Sequence, residues 1–475
     1  MPRAPFIVVP PAALTLVLGT WGLTRGNSMW RDEAATWEAT HRTVPEIWHL
    51  LGRIDVVHGL YYLLMHIVFT VFGDSLYSLR LPSVLAMAGA AVVVTLLGSR
   101  LAGRCTGLAA GLAFALLPAV QQYAQEGRPY ALVTACVALS CRLLVAAIDS
   151  PGTGRWAAYG TAVLAAALLN WFSLMVLCAH ALTMVLAGPP RATVVRWALA
   201  ACAAVLGAVP LVVASRAQAE QIAWIPPTGP GTLLGLLLTL PAGGLCAWLA
   251  RPGTAGGGPR GARPTLTTLA LPLLVVPPLL LTAVSTVRPV YQARYVLFSQ
   301  VGLALLIGAA CHALASRVRT PPRRTIAAVT VLAFLGLLPV EVSLRGASGR
   351  IDDVLSTARN VATVREPGDA VLFIPAARRD TALVSPAAFT GADDVALAES
   401  PLGSGTLNGV EGTPRQIADA MLTARRIVVV TDDSAVPLTT ARDRTKQRVL
   451  RTHFVRCLER SGAGRKVVVY ERRPG

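Results

Sequence analysis

Residues 59–72 have the sequence GLYYLLMHIVFTVF. The stretch is apolar, but it is short for a membrane-spanning helix, which needs about 17 to 25 mainly apolar residues. It also contains His66. We therefore predict a helix over residues 59–73 that lies in the membrane interface and does not cross. A crossing helix here would move Arg100 and Arg104 to the outer side and reverse the side of every later loop.

The composition of the whole chain supports a membrane setting. Of the 475 residues, 54% are hydrophobic and 14% are charged, and the mean hydropathy is +0.56. These values exclude an ordinary soluble globule and indicate a protein with many membrane-spanning helices. The formal net charge of +18 would suggest nucleic acid as the partner of a soluble protein. Here the arginines cluster in short loops between apolar runs, so we interpret them as topology signals and predict no nucleic-acid partner.

Apolar runs and arginine-rich loops together predict eleven membrane-spanning helices. With the N-terminus in the cytoplasm and the C-terminus outside, the predicted inside loops hold many arginines and a single acid, Asp149. The first run has no small-residue cleavage site before Arg25, so we predict an uncleaved anchor. The predicted spans are residues 6–24, 79–97, 105–120, 130–148, 157–170, 171–187, 197–214, 232–250, 265–286, 295–313 and 325–343.

From about residue 346 the sequence becomes charged and rich in loops, which marks a second domain. We predict a transmembrane domain over residues 1–345, with a first external loop over 25–79, and an extracytoplasmic domain over 346–475. Short apolar runs and helical patterns alternate in this second domain, which favours a small α/β layer structure without a nucleotide-binding motif. The predicted strands are 370–374, 427–430 and 467–470, and the predicted helices are 351–364, 413–424 and 439–460.

An acidic pair, Asp32 and Glu33, follows the first apolar run by a few residues. Carboxylates at a membrane boundary are costly to bury and are by default candidates for handling a substrate. In a partly desolvated pocket such a carboxylate can act as a general base on a hydroxyl group. The alternative is an exposed cap on a helix over 34–40, because Asp is a good first residue of a helix. From the residues alone, both interpretations stay open.

Three further polar stretches fall on the predicted outer side. One directly precedes and begins the interfacial helix, one follows the third span, and one lies where the tenth span enters the membrane. An arginine in such a place can bind a phosphate through its planar guanidinium group. The candidate residues in these stretches are Asp55, His58, Tyr61, Glu126, Arg128, Tyr130, Arg294 and Tyr295.

Each stretch also has a purely structural interpretation. His58 can solvate the start of the interfacial helix, Glu126 can pair with Arg128, and Arg294 can extend to the headgroups without binding a ligand. The carboxylates Asp32, Glu33 and Asp55 are too few to specify a metal ion, although a divalent metal is compatible with them.

The motifs together resemble a known family. They are the acidic pair after the first helix, the LYY-containing helix, the run from Gly73 to Ser83, the run from Tyr123 to Tyr130, and the late Y-x-x-R-Y ending at Tyr295. This pattern is similar to GT-C membrane glycosyltransferases, and within them to family 39 mannosyltransferase-like proteins. Protein O-mannosyltransferases and aminoarabinose transferases are more distant relatives of the same pattern.

The resemblance implies an integral membrane enzyme of the cell envelope. It would transfer a sugar such as mannose from a polyprenyl-phosphate donor, which is held in the membrane lipid, to a hydroxyl of an acceptor glycan, lipid or protein. The transfer would take place outside the cytoplasm and with inversion. Asp32 would be the catalytic base and Glu33 its catalytic neighbour, while Arg128 and Arg294 would face the carrier phosphate. The sequence departs from the relatives at His58-Gly59 and at Asn170 to Phe172, which bears on acceptor recognition.

Two other functions are compatible with the same outer polar groups. A lipid or sugar transporter (flippase) could use them as a gate, although such proteins usually carry ionisable or broken-helix sites near the midplane and inverted repeats, and neither is visible. A non-catalytic scaffold could use the C-terminal domain to bind cell-wall material. The sequence favours the enzyme.

Overall fold

The computed structural model describes residues 5–219, 225–251, 263–317, 320–346, 349–434 and 438–474. It divides into two compact units. The first comprises Met1–Trp21 and Arg80–Glu341, and the second comprises Gly22–Leu79 and Val342–Gly475. The segment after the first helix is thus grouped with the C-terminal part of the chain, although more than 260 residues of the first unit separate them.

The described residues form twenty α-helices. In chain order they are α1 Pro5–Thr20, α2 Arg31–Thr40, α3 Val44–Arg53, α4 Gly59–Phe72, α5 Leu76–Ala102, α6 Arg104–Leu116, α7 Pro118–Ala124, α8 Tyr130–Asp149, α9 Thr153–Leu169, α10 Val176–Ala187, α11 Arg191–Ala217, α12 Pro230–Leu249, α13 Leu266–Val287, α14 Gln300–Ala315, α15 Pro322–Arg345, α16 Val354–Val364, α17 Asp380–Val384, α18 Pro401–Ser404, α19 Pro414–Thr423 and α20 Ala441–His453. Short 3₁₀ segments include Val56–His58, Trp171–Met175 and Ala293–Ser299.

The helices of the first unit are those of a membrane protein. Among the described residues, seven helices are long and apolar enough to span a membrane, or eight if α6 and α7, which are bent by 61°, count as one span. Shorter apolar helices include Phe6–Thr20 and Trp171–Ala187. Each of the eleven predicted spans overlaps a helix, so the prediction of a polytopic helical protein is confirmed. How many of these helices cross the bilayer stays a prediction.

Small residues allow the helices of the first unit to approach closely. A Cβ atom added at Gly308 of α14 would lie 2.5 Å from the backbone nitrogen of Ala110 in α6. A Cβ atom at Gly302 would lie 2.5 Å from the carbonyl oxygen of Ala270 in α13. Membrane helices pack in this way because lipid supplies no hydrophobic force between them, and close van der Waals contact replaces it.

Helix α4 buries one side and exposes apolar side chains on the other, and its place in the membrane interface stays a prediction. Its inner positions Tyr61, Tyr62 and Met65 are fully buried, whereas Ile67 and Phe72 expose most of their side chains. The helix begins at Gly59, where a Cβ atom would lie 2.8 Å from Leu51 of α3. It ends at Phe72, and Gly73 follows with a φ angle of +77° that favours glycine.

The C-terminal domain is built on a mixed five-stranded sheet. Strands β1 and β5 are parallel, β7 is antiparallel to β5, and β6 forms a hairpin with β7, giving the order β2-β1-β5-β7-β6. A separate two-stranded sheet pairs β3 with β4. The strands are β1 Ala370–Ile374, β2 Asp393–Asp394, β3 Leu397–Glu399, β4 Val410–Glu411, β5 Arg426–Asp432, β6 Phe454–Ser461 and β7 Arg465–Arg472.

The three strands predicted from short apolar runs are present in this sheet, which confirms a C-terminal domain that contains a sheet. One predicted helix is wrong in extent. Residues 439–460 were expected to be helical throughout, but α20 ends at His453 and residues 454–461 form β6. The strand lies at the edge of the sheet and is exposed from Val455 onward, so it lacks the burial pattern by which a strand is predicted.

Candidate functional site

The acidic pair lies in the first turn of α2. The helix begins at Arg31, and Trp30 is the residue that caps it without a side-chain hydrogen bond. Asp32 is half-buried, and Glu33 is completely buried. Asp32 therefore lies inside the helix, and the alternative interpretation as an exposed cap does not describe it. The unsatisfied amide groups of a helix N-terminus favour negative charge, which makes this position suitable for carboxylates.

The same helix carries a third acid, Glu38, whose pKa is raised. Burial raises the pKa of Glu38 to about 7, against the opposing effect of Arg42. The Arg42 guanidinium donates to Glu38 Oε1 from Nε at 3.0 Å and from Nη2 at 2.5 Å. Because Glu38 is bound by this arginine, we assign it a structural role.

Asp55, His58 and Tyr61 gather around the start of α4. Asp55 has a left-handed backbone with a φ angle of +61°, and its Oδ2 accepts a hydrogen bond of 2.6 Å from the hydroxyl of Tyr62. The His58 ring lies 5.9 Å from the Tyr62 ring. The Tyr61 and Tyr62 side chains are fully buried. These residues form one cluster of the second unit, and Tyr62 is a member of it that the sequence analysis did not select.

The first unit has its own group of candidate residues in the turn from Gln125 to Tyr130. Glu126 and Arg128 are both buried. Ser83 of α5 donates from its hydroxyl to the carbonyl oxygen of Glu126 at 2.6 Å and lies 3.5 Å from that of Arg128. Gln125 Nε2 donates to the carbonyl groups of two residues at the C-terminal end of α1, Gly19 at 2.9 Å and Trp21, which directly follows the helix, at 2.6 Å. The turn is therefore fixed by α1 and α5.

A row of aromatic rings connects this turn with the segment 291–295. The ring centroids of Tyr130 and Tyr295 are 6.1 Å apart, and Tyr295 stacks on Phe172 at 4.8 Å. Arg294 places its guanidinium carbon 5.5 Å from the Tyr130 ring and 5.8 Å from the Tyr295 ring. The structure thus brings Tyr130 next to Arg294 and Tyr295, which lie more than 160 positions later in the sequence. The attraction between a guanidinium group and aromatic faces helps to hold such a cation in place.

An apolar groove begins at the end of this aromatic row. It has a volume of about 380 Å³ and is lined by Trp171, Phe172 and by valines of α11, with Arg216 as the only charged side chain along it among the described residues. The sequence did not single out Arg216, because one arginine at a helix end cannot be distinguished from an arginine that only sets the topology. It also missed Glu341, which is fully buried in α15 and whose only signal is a lone acid within an apolar run.

The acids of the described residues do not form a metal centre by themselves. No group of three or more His, Cys, Asp or Glu side chains in this part of the chain could hold a metal ion. Mg²⁺ commonly binds one or two carboxylates together with substrate phosphates, so a pair such as Asp32 and Glu33 is a donor set that would need the substrate to complete it.

Comparison with known proteins gives a consistent result for the fold. The sequence model of the dolichyl-phosphate-mannose-protein mannosyltransferase family matches residues 60–215. ArnT from Cupriavidus metallidurans in the apo state superposes with a TM-score of 0.60 at 13% identity, over 97% of both chains. The same protein bound to undecaprenyl phosphate superposes with a TM-score of 0.57 at 14% identity, again over 97% of both chains.

The chain has a GT-C fold. The Archaeoglobus fulgidus oligosaccharyltransferase in its apo form is also similar, with a TM-score of 0.51 and 11% identity over 90% of this chain and 69% of that one. No curated protein sequence matches. The predicted resemblance to GT-C membrane glycosyltransferases is confirmed at the level of fold, and the family model matches about a third of the chain.

Proposed function

We propose that this chain is a membrane glycosyltransferase that transfers a sugar from a polyprenyl-phosphate donor to an acceptor hydroxyl on the extracytoplasmic side, with inversion. The observation that carries the proposal is the acidic pair Asp32 and Glu33, one half-buried and one buried, in the first turn of α2 of a chain with a GT-C fold.

The acceptor half of the reaction needs a base, and Asp32 is our candidate. Its carboxylate takes the proton of the acceptor hydroxyl as the oxygen attacks the anomeric carbon of the sugar. The bond from that carbon to the phosphate oxygen breaks on the opposite face, and the polyprenyl phosphate leaves with the bonding electron pair. This single displacement inverts the anomeric configuration. Glu33, Asp55, His58 and Tyr61 are candidates for orienting the acceptor or the sugar.

The donor half needs positive charge on the departing phosphate. Arg294, supported by Tyr130 and Tyr295, and Arg128 in the buried turn with Glu126 are the candidates. The apolar groove bounded by Trp171, Phe172 and Arg216 is suited to an isoprenoid chain. The similar ArnT was solved with undecaprenyl phosphate, which supports this class of donor. A sugar such as mannose is our proposal for the transferred group.

The test is sugar transfer by protein reconstituted with a radiolabelled polyprenyl-phosphomannose donor and membrane extract as the acceptor source. Asp32→Asn removes the base and keeps the size of the side chain, so we expect the transfer rate to fall by about 10²- to 10⁴-fold. Unchanged transfer by Asp32→Asn would refute the assignment of the base. Movement of the labelled donor across the vesicle membrane without transfer would instead favour a transporter.

The proposal includes an orientation, with the N-terminus in the cytoplasm and the C-terminal domain outside. Cys457 in β6 is exposed and provides a natural probe. A membrane-impermeant maleimide should label Cys457 in intact cells. It should not label a Ser150→Cys variant in a Cys457→Ser background until the cells are opened, because Ser150 is exposed in a loop that we place inside. The reverse pattern would contradict the orientation and the outward position of the reaction.

A further inference from the structure

The start of α2 is held by the C-terminal domain. The amide of Arg31, the first residue of the helix, donates to Asp352 Oδ1 at 3.1 Å. The amide of Met29 donates to Asp353 Oδ1 at 3.1 Å, and the amide of Val354 donates to the carbonyl oxygen of Met29 at 2.7 Å. Trp30, the capping residue, makes no side-chain capping bond. Asp352 provides an acceptor for the Arg31 amide, which is one of the first four amides of α2 and has no partner within the helix.

Asp352 is in turn fixed by a buried arginine. Its other oxygen, Oδ2, accepts from Arg465 Nε at 3.1 Å and from Nη2 at 2.9 Å. The same guanidinium donates to Asp380 Oδ1 at 2.5 Å and to Asp380 Oδ2 at 2.7 Å. Arg465 is fully buried, and although burial disfavours its charge, Asp380 and Asp352 raise its pKa above the ordinary value. The guanidinium is thus held from two sides, by a bidentate pair with Asp380 and by two bonds to one oxygen of Asp352, which fixes both its position and its direction.

Arg465 is rigidly placed because it begins β7. That strand pairs with β5 on one side and β6 on the other, so its backbone lies inside the sheet. Asp380, the second partner, begins α17, which packs against α2. A continuous chain of contacts therefore runs from the central sheet through Arg465 and Asp352 to the first amide of the helix that carries Asp32 and Glu33.

The other end of α2 is held by the same domain. Arg42, which is almost fully buried, donates from Nη2 to the carbonyl oxygen of Thr406 at 2.6 Å while it binds Glu38 of α2. With both ends attached, the helix has little freedom to rotate. Both oxygens of Asp352 already accept hydrogen bonds, from Arg31 and from Arg465. We therefore assign Asp352 no role in moving a proton.

We propose that Asp352 and Arg465 are positioning residues, through which the C-terminal domain sets the place and direction of the acidic pair. The inference rests on the proposed function for its effect on catalysis. Its structural part, that the two residues hold the first turn of α2, can be measured separately. A displacement of about 1 Å in such a group can lower a reaction rate by about 10²-fold.

Two conservative variants test the inference. Asp352→Asn keeps an acceptor for the Arg31 amide but turns amide hydrogens towards Arg465, and Arg465→Lys keeps the charge but cannot make the paired bonds. The matched control is Lys446→Met. Lys446 is a fully buried cation of the same domain, and its partners Glu411 and Asp443 have no bond to α2. Glu411 also keeps Arg379 as a partner at 3.1 Å.

The full-length protein is examined by hydrogen exchange with mass spectrometry and by the transfer assay. In both positioning variants we expect exchange at residues 29–34 to be at least about ten-fold faster, with kcat lower by about 10- to 100-fold and KM for the donor unchanged. The Lys446→Met control should keep slow exchange at residues 29–34 and an unchanged kcat, even if its melting temperature falls as much as that of the two positioning variants.

Three results would decide against the inference. They are unchanged exchange at 29–34 in both variants, a KM effect without a kcat effect, or the same kcat loss in Lys446→Met at equal stability. If the unmodified protein transfers no sugar although its donor is bound, the proposed function fails, and the exchange measurement still decides whether Asp352 and Arg465 hold the helix.

Discussion

The two groups of candidate site residues are fixed in different ways. The turn from Gln125 to Tyr130 is held by nearby parts of its own helical unit, chiefly by Ser83 of α5, 43 positions earlier. The start of α2 is held by Asp352 and Asp353, which lie 321 and 324 positions later in the chain. The first group is supported by helices of its own unit, whereas the second depends on a domain with a separate hydrophobic core. Changes to the turn should therefore have local effects, and changes to the C-terminal domain should reach the acidic pair.

The largest effect is expected from the cation of the first group. Arg294→Met removes the charge that we place at the departing phosphate, and loss of one such preorganised group typically costs about 10²- to 10³-fold in kcat. Arg294→Lys should recover part of the rate, because it keeps the charge but not the planar donors. The measurement is single-turnover transfer from saturating polyprenyl-phosphomannose.

The control for this prediction is Arg216→Met in the apolar groove. If that arginine contacts only the carrier lipid, its loss should raise KM for a long-chain donor several-fold with little change in kcat. Equal kcat losses in the two variants would show that the phosphate is not bound preferentially at Arg294.

A smaller effect is expected from the support of the turn. Ser83→Ala removes the hydroxyl donor to the carbonyl oxygen of Glu126, which still accepts from the amide of Arg128 at 2.8 Å. The expected cost is therefore that of one hydrogen bond, about 0.5–1.5 kcal/mol. The melting temperature should fall by a few degrees, and the transfer rate should fall about ten-fold because Glu126 and Arg128 shift with the backbone.

The matched control is Ser140→Ala in α8. Ser140 is as fully buried, but its hydroxyl donates to the carbonyl oxygen of Val137 in its own helix at 2.8 Å. Its loss should leave the transfer rate close to normal. A similar loss of rate in both variants would mean that the turn is not fixed specifically by Ser83.

The sequence could predict the helices and much of the sheet because their signals are local. Apolar runs of spanning length mark α5, α8 and α13, and the short run at 59–72 coincides with α4. The central strands β1, β5 and β7 are apolar because both of their faces are covered. Strand β6 was missed for the opposite reason, since an exposed edge strand carries no burial pattern.

The candidate site was predictable only in its individual residues. Asp32, Arg128 and Arg294 stand out as charged groups beside apolar runs, and their chemistry can be argued from type and position. Their supports cannot be found in this way. Asp352 and Arg465 occur in an ordinary charged stretch of a soluble domain, and only the folded chain shows that one of them binds the amide of Arg31.

The last effect is on stability and not on the transfer rate, and it concerns Glu38, at the end of α2 that is bound to Arg42 and Thr406. The folded-state pKa is about 7 against an ordinary value of 4.5, because burial disfavours the charged form. Between these values the folded protein retains a proton that the unfolded chain has released. The free energy of unfolding should therefore fall as pH rises from 4.5 through 7, by about 3 kcal/mol in total.

Glu38→Gln removes the titrating carboxyl group and should flatten the pH dependence of the free energy of unfolding in this range. The measurement is thermal unfolding in detergent between pH 5 and pH 8. His41 and Arg42, which both act on the Glu38 carboxylate, remain in the variant, so their own contributions cancel in the comparison. Because the C-terminal domain holds this end of the helix, faster exchange at residues 36–42 should accompany the loss of stability at high pH in the unmodified protein. Parallel pH profiles for the two proteins would show that Glu38 stays charged beside Arg42 and that the contact with Thr406 is independent of pH.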